Sequence, residues 1–309
     1  MNKKKVVFVV GPTASGKTGL AVSLAKKFSG EVISGDSMQI YKGIHIASAA
    51  PDKDEMQGVP HHLLEFLDTG VQFSVADYVS AAKQKIDEVI NRGNLPVIAG
   101  GTGLYISALL DNTEFIPEKV DYVLRAELEA EFESVGAEEM LRRLSRIDPD
   151  TANRLHANDR RRIIRAFEVY KTTGITITQQ NENSHLKESD IEPLVIGINF
   201  NDREKLYDRI NKRVDIMLEN GLLKEAQTVY NSNAKSGGFQ AIGHKELFGY
   251  FEGQVTLEEA VELLKMQTRR YAKRQLTWFR RDERINWIFA DGENPYEKAA
   301  ALVDNFIKE

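Results

Sequence analysis

The stretch that decides the fold reads Gly11-Pro12-Thr13-Ala14-Ser15-Gly16-Lys17-Thr18. It matches the pattern G-x-x-x-x-G-K-[S/T] of a phosphate-binding P-loop. An apolar run at residues 6–10 precedes it and predicts a strand, and the run at residues 19–28 predicts a helix. We therefore expect its backbone N–H groups to bind a phosphate or pyrophosphate, aided by the charge of Lys17 and by the hydroxyl of Thr18, a ligand for Mg²⁺.

Further apolar runs have the spacing of a parallel sheet with crossover helices. They lie at residues 31–34, 95–99, 194–200 and 285–289. The first two of them end in loops of small and polar residues, at 35–39 and 100–103. Because ligands bind outside the carboxyl ends of parallel strands, we expect these loops to meet the P-loop at one site. The predicted fold class is α/β, a P-loop NTPase-like parallel sheet flanked by helices, with an α-helical insertion domain.

The predicted insertion interrupts the α/β core. Residues 118–190 carry Glu, Arg, Leu and Ala at helical spacing, with a helix start expected at Asp148. The first part of the core is then residues 1–117 and the second part residues 191–309, in which a basic helix is expected at 256–280.

Composition limits the classes of function. The 309-residue chain is 42% hydrophobic and has no cysteine, so disulfides, thiolate metal sites and cysteine nucleophiles are excluded. The first apolar run is too short for a signal peptide or membrane span, and we expect a cytoplasmic protein with no membrane partner. A net charge of −5 argues against indiscriminate coating of nucleic acid. Basic stretches at 154–171 and 269–284 could nevertheless bind a polyanion locally.

The residues alone leave the occupant of the P-loop open. An NTPase needs an Asp after a second strand to help hold Mg²⁺, and Asp36 is the candidate. Asp36 could equally be a base acting on a substrate beside the P-loop, or a cap for the following turn. A small-molecule or nucleotide kinase and an RNA-binding ATPase or adaptor both fit this pattern.

Several further strings occur in a fixed order along the chain. They are DSMQIY at 36–41, HHL at 61–63, AGGTGLY at 99–105, RRIIRAFEVY at 161–170, RINKRV at 209–214, QAIGHKE at 240–246 and YAKRQLTWF at 271–279. Together with the P-loop they resemble the bacterial tRNA dimethylallyltransferase family over nearly the whole chain. Each string is weak alone, but the ordered combination is specific. A related alternative, an isopentenyltransferase of free adenine nucleotides, is disfavoured by the long basic helices.

The resemblance implies an enzyme that transfers a dimethylallyl group from dimethylallyl pyrophosphate to N6 of the adenine 3′ of the anticodon in tRNA. In that family the P-loop holds the pyrophosphate with Mg²⁺, and Asp36 would be the general base. Thr102 and Arg213 match positions near the pyrophosphate and its bridging oxygen. The implied catalytic residues are Asp36, Thr102 and Arg213, the implied pyrophosphate site is Gly11, Pro12, Thr13, Ala14, Ser15, Gly16, Lys17 and Thr18, and Thr18 is the implied metal ligand.

The family extrudes its target adenine from the anticodon loop. The implied partner is therefore the anticodon stem-loop, bound by a chain that we expect to be a monomer. Arg161 and Arg165 are predicted to share a helix face, while Ile163, Phe167 and Tyr170 pack inward. The implied tRNA-binding residues are Asp36, Ser37, Met38, Gln39, Thr102, Arg161, Arg162, Ile163, Ile164 and Arg165.

Three positions depart from the family pattern. Ala50 stands where a lysine is common, His244 where a tyrosine is usual, and Thr176 where a proline commonly occurs. Outside these motifs, the adjacent His61 and His62 would point to opposite faces of a strand, so a shared metal is not expected. The aromatic residues Trp278, Phe279 and Trp287 are interpreted as core.

Overall fold

The computed structural model of the chain describes residues 3–113, 115, 121–184, 189–232, 237–292 and 294–309. It divides into two compact units. Met1–Leu110 with Asp190–Glu309 form the core unit, and Asp111–Ser189 form the helical unit. The predicted boundary between residues 117 and 118 lies outside the described residues.

The core unit is built on a parallel sheet, which confirms the predicted fold class. Its strands follow the order β3-β2-β4-β1-β5-β6 within the described part of the chain. Each pairs with its neighbour in parallel register. The strands are β1 (Lys4–Val10), β2 (Gly30–Ser34), β3 (His61–His62), β4 (Leu95–Gly100), β5 (Ile191–Asn199) and β6 (Ile285–Phe289).

Helices connect these strands and build the helical unit. In chain order they are α1 (Lys17–Lys27), α2 (His45–Ser48), α3 (Lys53–Met56), α4 (Val75–Asn91), α5 (Gly103–Leu110), α6 (Tyr122–Val135), α7 (Ala137–Ile147), α8 (Pro149–Arg154), α9 (Arg160–Thr173), α10 (Ile177–Ser184), α11 (Arg203–Glu219), α12 (Leu222–Asn231), α13 (Lys245–Phe251), α14 (Leu257–Phe279) and α15 (Pro295–Lys308). None in the described part of the chain is long and apolar enough to cross a membrane.

Side-chain caps determine where several of these helices begin. Ser74 and Asp77 form a reciprocal capping box before α4, and Thr256 and Glu259 form another before α14. In the helical unit, the Asp148 carboxylate accepts a hydrogen bond from the Thr151 N–H, which confirms the predicted helix start. Each cap satisfies N–H groups that have no partner inside the helix.

The centre of the core unit is the middle of its sheet. Val6, Val7, Phe8, Val9 and Val10 of β1 are all fully buried, because helices cover both faces of a parallel sheet. Valines of β1 pack with the buried face of α1 and with α15, which returns to the sheet at the end of the chain. The strand therefore ends in a rigid frame, and the P-loop starts directly from it.

Two expectations about aromatic packing are wrong. Phe279 is buried as predicted, but Trp278 is 38% exposed and its indole N–H donates to Ser107 Oγ at 2.9 Å. In the helical unit, Ile163 and Phe167 pack inward whereas Tyr170 is 39% exposed. Both exposed rings lie at the edge of an apolar helix stripe, where helical periodicity does not decide between core and surface.

The buried carboxylate of Glu31 on β2 forms an ionic cluster with partners that reach the surface at the sheet edge. Its carboxylate accepts hydrogen bonds from Arg92 Nε at 2.8 Å and Nη2 at 2.7 Å, from Asn94 at 2.7 Å and from His62 Nε2 at 2.6 Å. These partners, Arg92 foremost, lower the pKa of Glu31 to about 2. His62 is thus engaged with β2, while the His61 Nδ1 atom lies 2.8 Å from the Val59 carbonyl oxygen.

We expect Glu31→Gln to lower the free energy of unfolding at neutral pH by about 3 kcal/mol, since one pKa unit corresponds to roughly 1.4 kcal/mol. A depressed carboxyl pKa stabilises the fold above the unfolded value of 4.5 and ceases to do so as the pH falls toward about 2. Urea unfolding of both proteins from pH 7 to pH 3 checks this. If the difference in the free energy of unfolding between wild type and Glu31→Gln stays constant from pH 7 to pH 3, the ionised Glu31 carboxylate does not stabilise the fold.

Candidate active site

The loops that follow β1, β2 and β4 line one cavity of about 320 Å³ in the core unit. The strands are neighbours in register, with Val10 opposite Gly100 and Ser34 opposite Ala99, so their loops leave the sheet side by side. Helices α11 and α14 close the cavity. The residues of these three segments that line the cavity are Thr13, Lys17, Thr18, Asp36, Ser37, Met38, Gln39, Gly100 and Gly101.

The backbone of residues 11–18 has the shape of an anion cradle. Gly11 and Gly16 have φ of 147° and 97°, and a Cβ on Gly11 would lie 2.3 Å from the Ile198 carbonyl oxygen. Gly16 precedes α1 without a side-chain cap, so the first N–H groups of the helix are open to an anion. The buried Ser15 hydroxyl has no hydrogen-bond partner among the described residues.

Lys17 lies at the wall of this cradle. Its Nζ donates to the Pro12 carbonyl oxygen at 2.6 Å. Burial, followed by repulsion from Arg213, lowers the pKa of Lys17 to about 7, although Asp36 attracts the charged form. Lys17 is therefore a cation short of counter-charge, and an anion bound in the cradle would supply it.

Arg213 extends from α11 into the same cavity. Burial lowers the pKa of its guanidinium, while the carboxylates of Glu55 and Asp36 oppose that shift. Arg213 therefore faces the cavity and not a solvated helix face. A second helix arginine, Arg209, donates from Nε to the Ala14 carbonyl oxygen at 2.9 Å and supports the P-loop, where Ala14 has a φ of 62°.

Asp36 lines the same cavity from a tight turn after β2. Its Oδ1 atom accepts from the Met38 N–H at 2.8 Å. Within the described chain, no hydrogen bond engages Oδ2. Next to it, Thr102 Oγ1 accepts from the Ser37 N–H at 2.9 Å and lies 3.2 Å from the Ser37 hydroxyl. One carboxylate oxygen thus fixes the turn, and the other is free to accept a proton.

Helix α14 contributes residues to which the sequence analysis assigned no role. Tyr271, Arg274 and Gln275 line the cavity, and their spacing of three and four residues places them on one helix face. Burial, and then the nearby Asp36, raise the pKa of Tyr271, which keeps its hydroxyl protonated and able to donate. The string 271–279 was recognised only as a motif; its helical spacing was the available signal.

Part of the remaining wall of the cavity is apolar. It is built by Val214 and Met217 from α11, Ala241 and Ile242 from the segment before α13, and Leu264 from α14. The cavity therefore has a charged end at the P-loop and an apolar wall, an arrangement suited to an amphiphilic ligand with an anionic head. In the described residues no three His, Asp or Glu side chains form a cluster that could hold a metal by themselves.

The helical unit contains the predicted tRNA-binding stretch on α9. Arg161, Arg162 and Arg165 are exposed, and Arg165 pairs with the buried Glu168 at 2.9 Å. Ile163 and Ile164 are only 0% and 4% exposed because they pack in the core of this unit. The side chains of these two residues therefore face the core of the unit, and their contact with RNA stays a prediction.

Comparison with known proteins identifies the family. The family model described as IPP transferase matches residues 39–282. A tRNA dimethylallyltransferase of Bacillus subtilis is 49% identical over 93% of this chain and 91% of its own length. One from Thermoanaerobacter sp. is 43% identical over 98% and 96%. The chain belongs to the tRNA dimethylallyltransferase family.

Solved structures of the family share this fold. A tRNA isopentenylpyrophosphate transferase from Bacillus halodurans is 42% identical, with a TM-score of 0.74 over 99% of this chain and 97% of that one. A eukaryotic dimethylallyltransferase, described as acting on tRNA, is 30% identical, with a TM-score of 0.85 over 99% of this chain and 80% of that one.

The departures from the family pattern are accommodated locally. Ala50 is buried, so this position brings no charge to the cavity wall. His244 is fully buried and its Nε2 atom lies 2.8 Å from Glu225, whose carboxylate also accepts the N–H groups of Ile46 and Ala47. His244 thus helps hold a segment that lines the cavity. Thr176 forms reciprocal hydrogen bonds with Gln179 at the start of α10.

The lowered pKa of Lys17 predicts pH-dependent anion binding. Above pH 7 the lysine is largely neutral in the free protein and must take up a proton when an anion binds. We therefore expect the ratio of wild-type to Lys17→Met affinity for inorganic pyrophosphate to fall on the order of tenfold from pH 6.5 to pH 8.5. Calorimetric titration at constant Mg²⁺ measures both affinities. Pyrophosphate itself titrates in the same way in both experiments, so its titration cancels in the ratio. A ratio that does not change with pH would contradict the lowered pKa of Lys17.

Proposed function

We propose that this chain transfers the dimethylallyl group of dimethylallyl pyrophosphate to N6 of the adenine 3′ of the anticodon in tRNA, with release of pyrophosphate. The observation that carries the proposal is the one cavity lined by Lys17, Thr18 and Asp36 together with apolar side chains. The printed names of the relatives support the choice of substrates.

The P-loop end of the cavity would hold the leaving group. The N–H groups of residues 16–18 and the side chains of Lys17 and Arg213 would donate to pyrophosphate oxygens, and the two cations would stabilise the negative charge that grows as the C–O bond breaks. Arg213 would lie near the bridging oxygen. The apolar wall formed by Val214, Met217 and Leu264 would receive the five-carbon group.

The residues present also fit Mg²⁺. Thr18 lines the cavity, and its hydroxyl oxygen is a suitable ligand for this hard cation. Mg²⁺ usually keeps several waters and binds through few protein ligands plus phosphate oxygens, so no larger cluster of carboxylates is required. When bound, the ion would neutralise charge on the pyrophosphate.

The Asp36 end of the cavity would act on the amine. The lone pair of an adenine amino group is delocalised into the ring, so nitrogen attacks effectively only if its proton is removed as the N–C bond forms. Asp36 Oδ2 would accept that proton, the allylic carbon would gain the bond to nitrogen, and the C–O electron pair would leave on pyrophosphate. Ser37, Met38 and Gln39 would contact the flipped base, and Thr102 would hold their turn.

The direct test incubates the protein and Mg²⁺ with dimethylallyl pyrophosphate, labelled in the allylic group, and an anticodon stem-loop carrying adenine 3′ of the anticodon. Label in RNA, located at N6 of that adenine after nuclease digestion, is the expected result. A parallel reaction with γ-labelled ATP identifies a kinase. Transfer of the ATP phosphate without incorporation of the allylic label would refute the proposal.

Asp36→Asn should preserve the turn and remove the base. We expect turnover to fall by about two to four orders of magnitude while stem-loop affinity stays near the wild-type value. Single-turnover incorporation at saturating substrates measures the first quantity and equilibrium binding the second. Recovery of the variant by a tenfold rise in Mg²⁺ would instead assign Asp36 to the metal.

The exposed arginines of α9 are proposed to bind RNA phosphates. Because Arg165 is paired with Glu168, the variant replaces only Arg161 and Arg162 with alanine. We expect weaker stem-loop binding and unchanged affinity for dimethylallyl pyrophosphate. The slope of log affinity against log salt should flatten by roughly 0.7 to 0.9 for each arginine–phosphate ion pair that the substitutions remove, because fewer counterions are then released on binding.

Arg142→Ala is the matched control for this experiment. Arg142 is an exposed arginine of the same unit, paired with Glu139 at 2.6 Å on α7. Its loss should leave both the affinity and the slope unchanged. If the double variant and the control have equal stem-loop affinities and equal salt slopes, Arg161 and Arg162 are solvated residues that do not bind RNA.

A further inference from the structure

Gln275 bridges two of the loops that line the cavity. Its side chain, only 5% exposed, extends from α14 between the P-loop and the loop after β4. The Oε1 atom accepts from the Thr13 N–H at 2.8 Å, and Nε2 donates to the Gly101 carbonyl oxygen at 2.8 Å. Both ends of the amide are therefore used, one on each loop. A carboxylate could not replace it, because one partner is a donor and the other an acceptor.

The connection continues beyond Gly101 to the turn of Asp36. Thr102 follows Gly101 directly, and its hydroxyl accepts from the Ser37 N–H at 2.9 Å. The Thr102 N–H also donates to the Gly35 carbonyl oxygen at 3.3 Å. Hydrogen bonds and the peptide bond between Gly101 and Thr102 thus connect the P-loop, through Gln275 and the loop after β4, to the turn that carries Asp36.

The bridge accounts for the glycine at position 101. A Cβ on Gly101 would lie 2.2 Å from Gln275 Nε2, whereas the next backbone atom, the Gly11 carbonyl oxygen, would be an ordinary 3.5 Å away. The φ of Gly101 is not positive, so the backbone itself would accept alanine. Glycine is required here because the Gln275 amide needs the space.

We propose that Gln275 is a positioning residue, which sets the distance between the P-loop and Asp36 by holding Thr13 and Gly101 at once. The inference rests on the proposed function, in which the leaving oxygen lies at the P-loop and the attacking amine lies at Asp36. A displacement of about 1 Å between reacting groups can cost on the order of a hundredfold in rate. Gln275 contributes to the rate through this geometry, without contacting the reacting atoms.

The test compares Gln275→Ala, Gly101→Ala and the double variant in single-turnover transfer to the stem-loop. Each single change should lower the rate at saturating substrates by roughly tenfold to a hundredfold and leave the KM for RNA within about threefold. The double variant should be no slower than Gln275→Ala, because the alanine Cβ at 101 then meets no side chain. Non-additivity of this kind is expected when two substitutions break one interaction. Thr277→Ala, an exposed position on the same helix, is the control.

Two outcomes would overturn the inference. Additive losses in the double variant would show that Gly101 and Gln275 act separately. A loss in Gln275→Ala confined to thermal stability, with the rate of the folded fraction intact, would show a merely structural role. Failure of the wild-type protein to label RNA would count against the proposed function instead. In that case the bridge is tested by affinity for inorganic pyrophosphate, which Gln275→Ala and Gly101→Ala should both weaken and their combination should not weaken further.

Discussion

Close approach of backbone atoms at the carboxyl edge of the sheet is the constraint on which the cavity depends. A Cβ on Gly100 would lie 2.2 Å from the Gly35 carbonyl oxygen, and a Cβ on Gly11 would lie 2.3 Å from that of Ile198. At both glycines the space beside the Cα atom holds a hydrogen atom but not a Cβ atom. The loop after β4 therefore abuts the loop after β2, and the P-loop abuts the end of β5. The buried strands beneath them make this spacing rigid, so that Lys17 and Asp36 share one cavity.

Charge is distributed unevenly over this frame, and each burial has a physical reason. Glu31 is buried with a full set of donors, which stabilise its ionised form and the fold. Lys17 and Arg213 are half-buried in the cavity, and desolvation lowers the pKa of each although nearby carboxylates attract the charged forms. Cations whose charge is only partly compensated suit a polyanion, whose binding offsets the cost of desolvation. The core unit thus places its stabilising charge at the sheet edge and its binding charge in the cavity.

The elements with strong local signals were predictable, and those created by tertiary contact were not. The P-loop and the apolar runs of β1, β2, β4, β5 and β6 are evident in the sequence because these signals are local. Strand β3 was not among the predicted strands of the sheet, since the two residues His61–His62 are too few to form an apolar run. In the site, the convergence of three loops followed from the rule for parallel sheets. That rule does not predict that Arg213, Tyr271 and Gln275 line the cavity. A polar residue on a helix has the same local sequence whether it faces solvent or a site.

The central claim is that the pyrophosphate and the target amine meet in one cavity, with the leaving group on the P-loop and the base at Asp36. The most direct measurement is a crystal structure with Mg²⁺, an anticodon stem-loop and dimethylallyl thiolodiphosphate, an analogue in which sulfur replaces the bridging oxygen and slows departure of the leaving group. The account predicts diphosphate oxygens on the N–H groups of residues 16–18, with the allylic carbon between the sulfur and an adenine N6 that lies within hydrogen-bonding distance of Asp36. A diphosphate bound elsewhere, or an adenine amine directed away from Asp36, would contradict it.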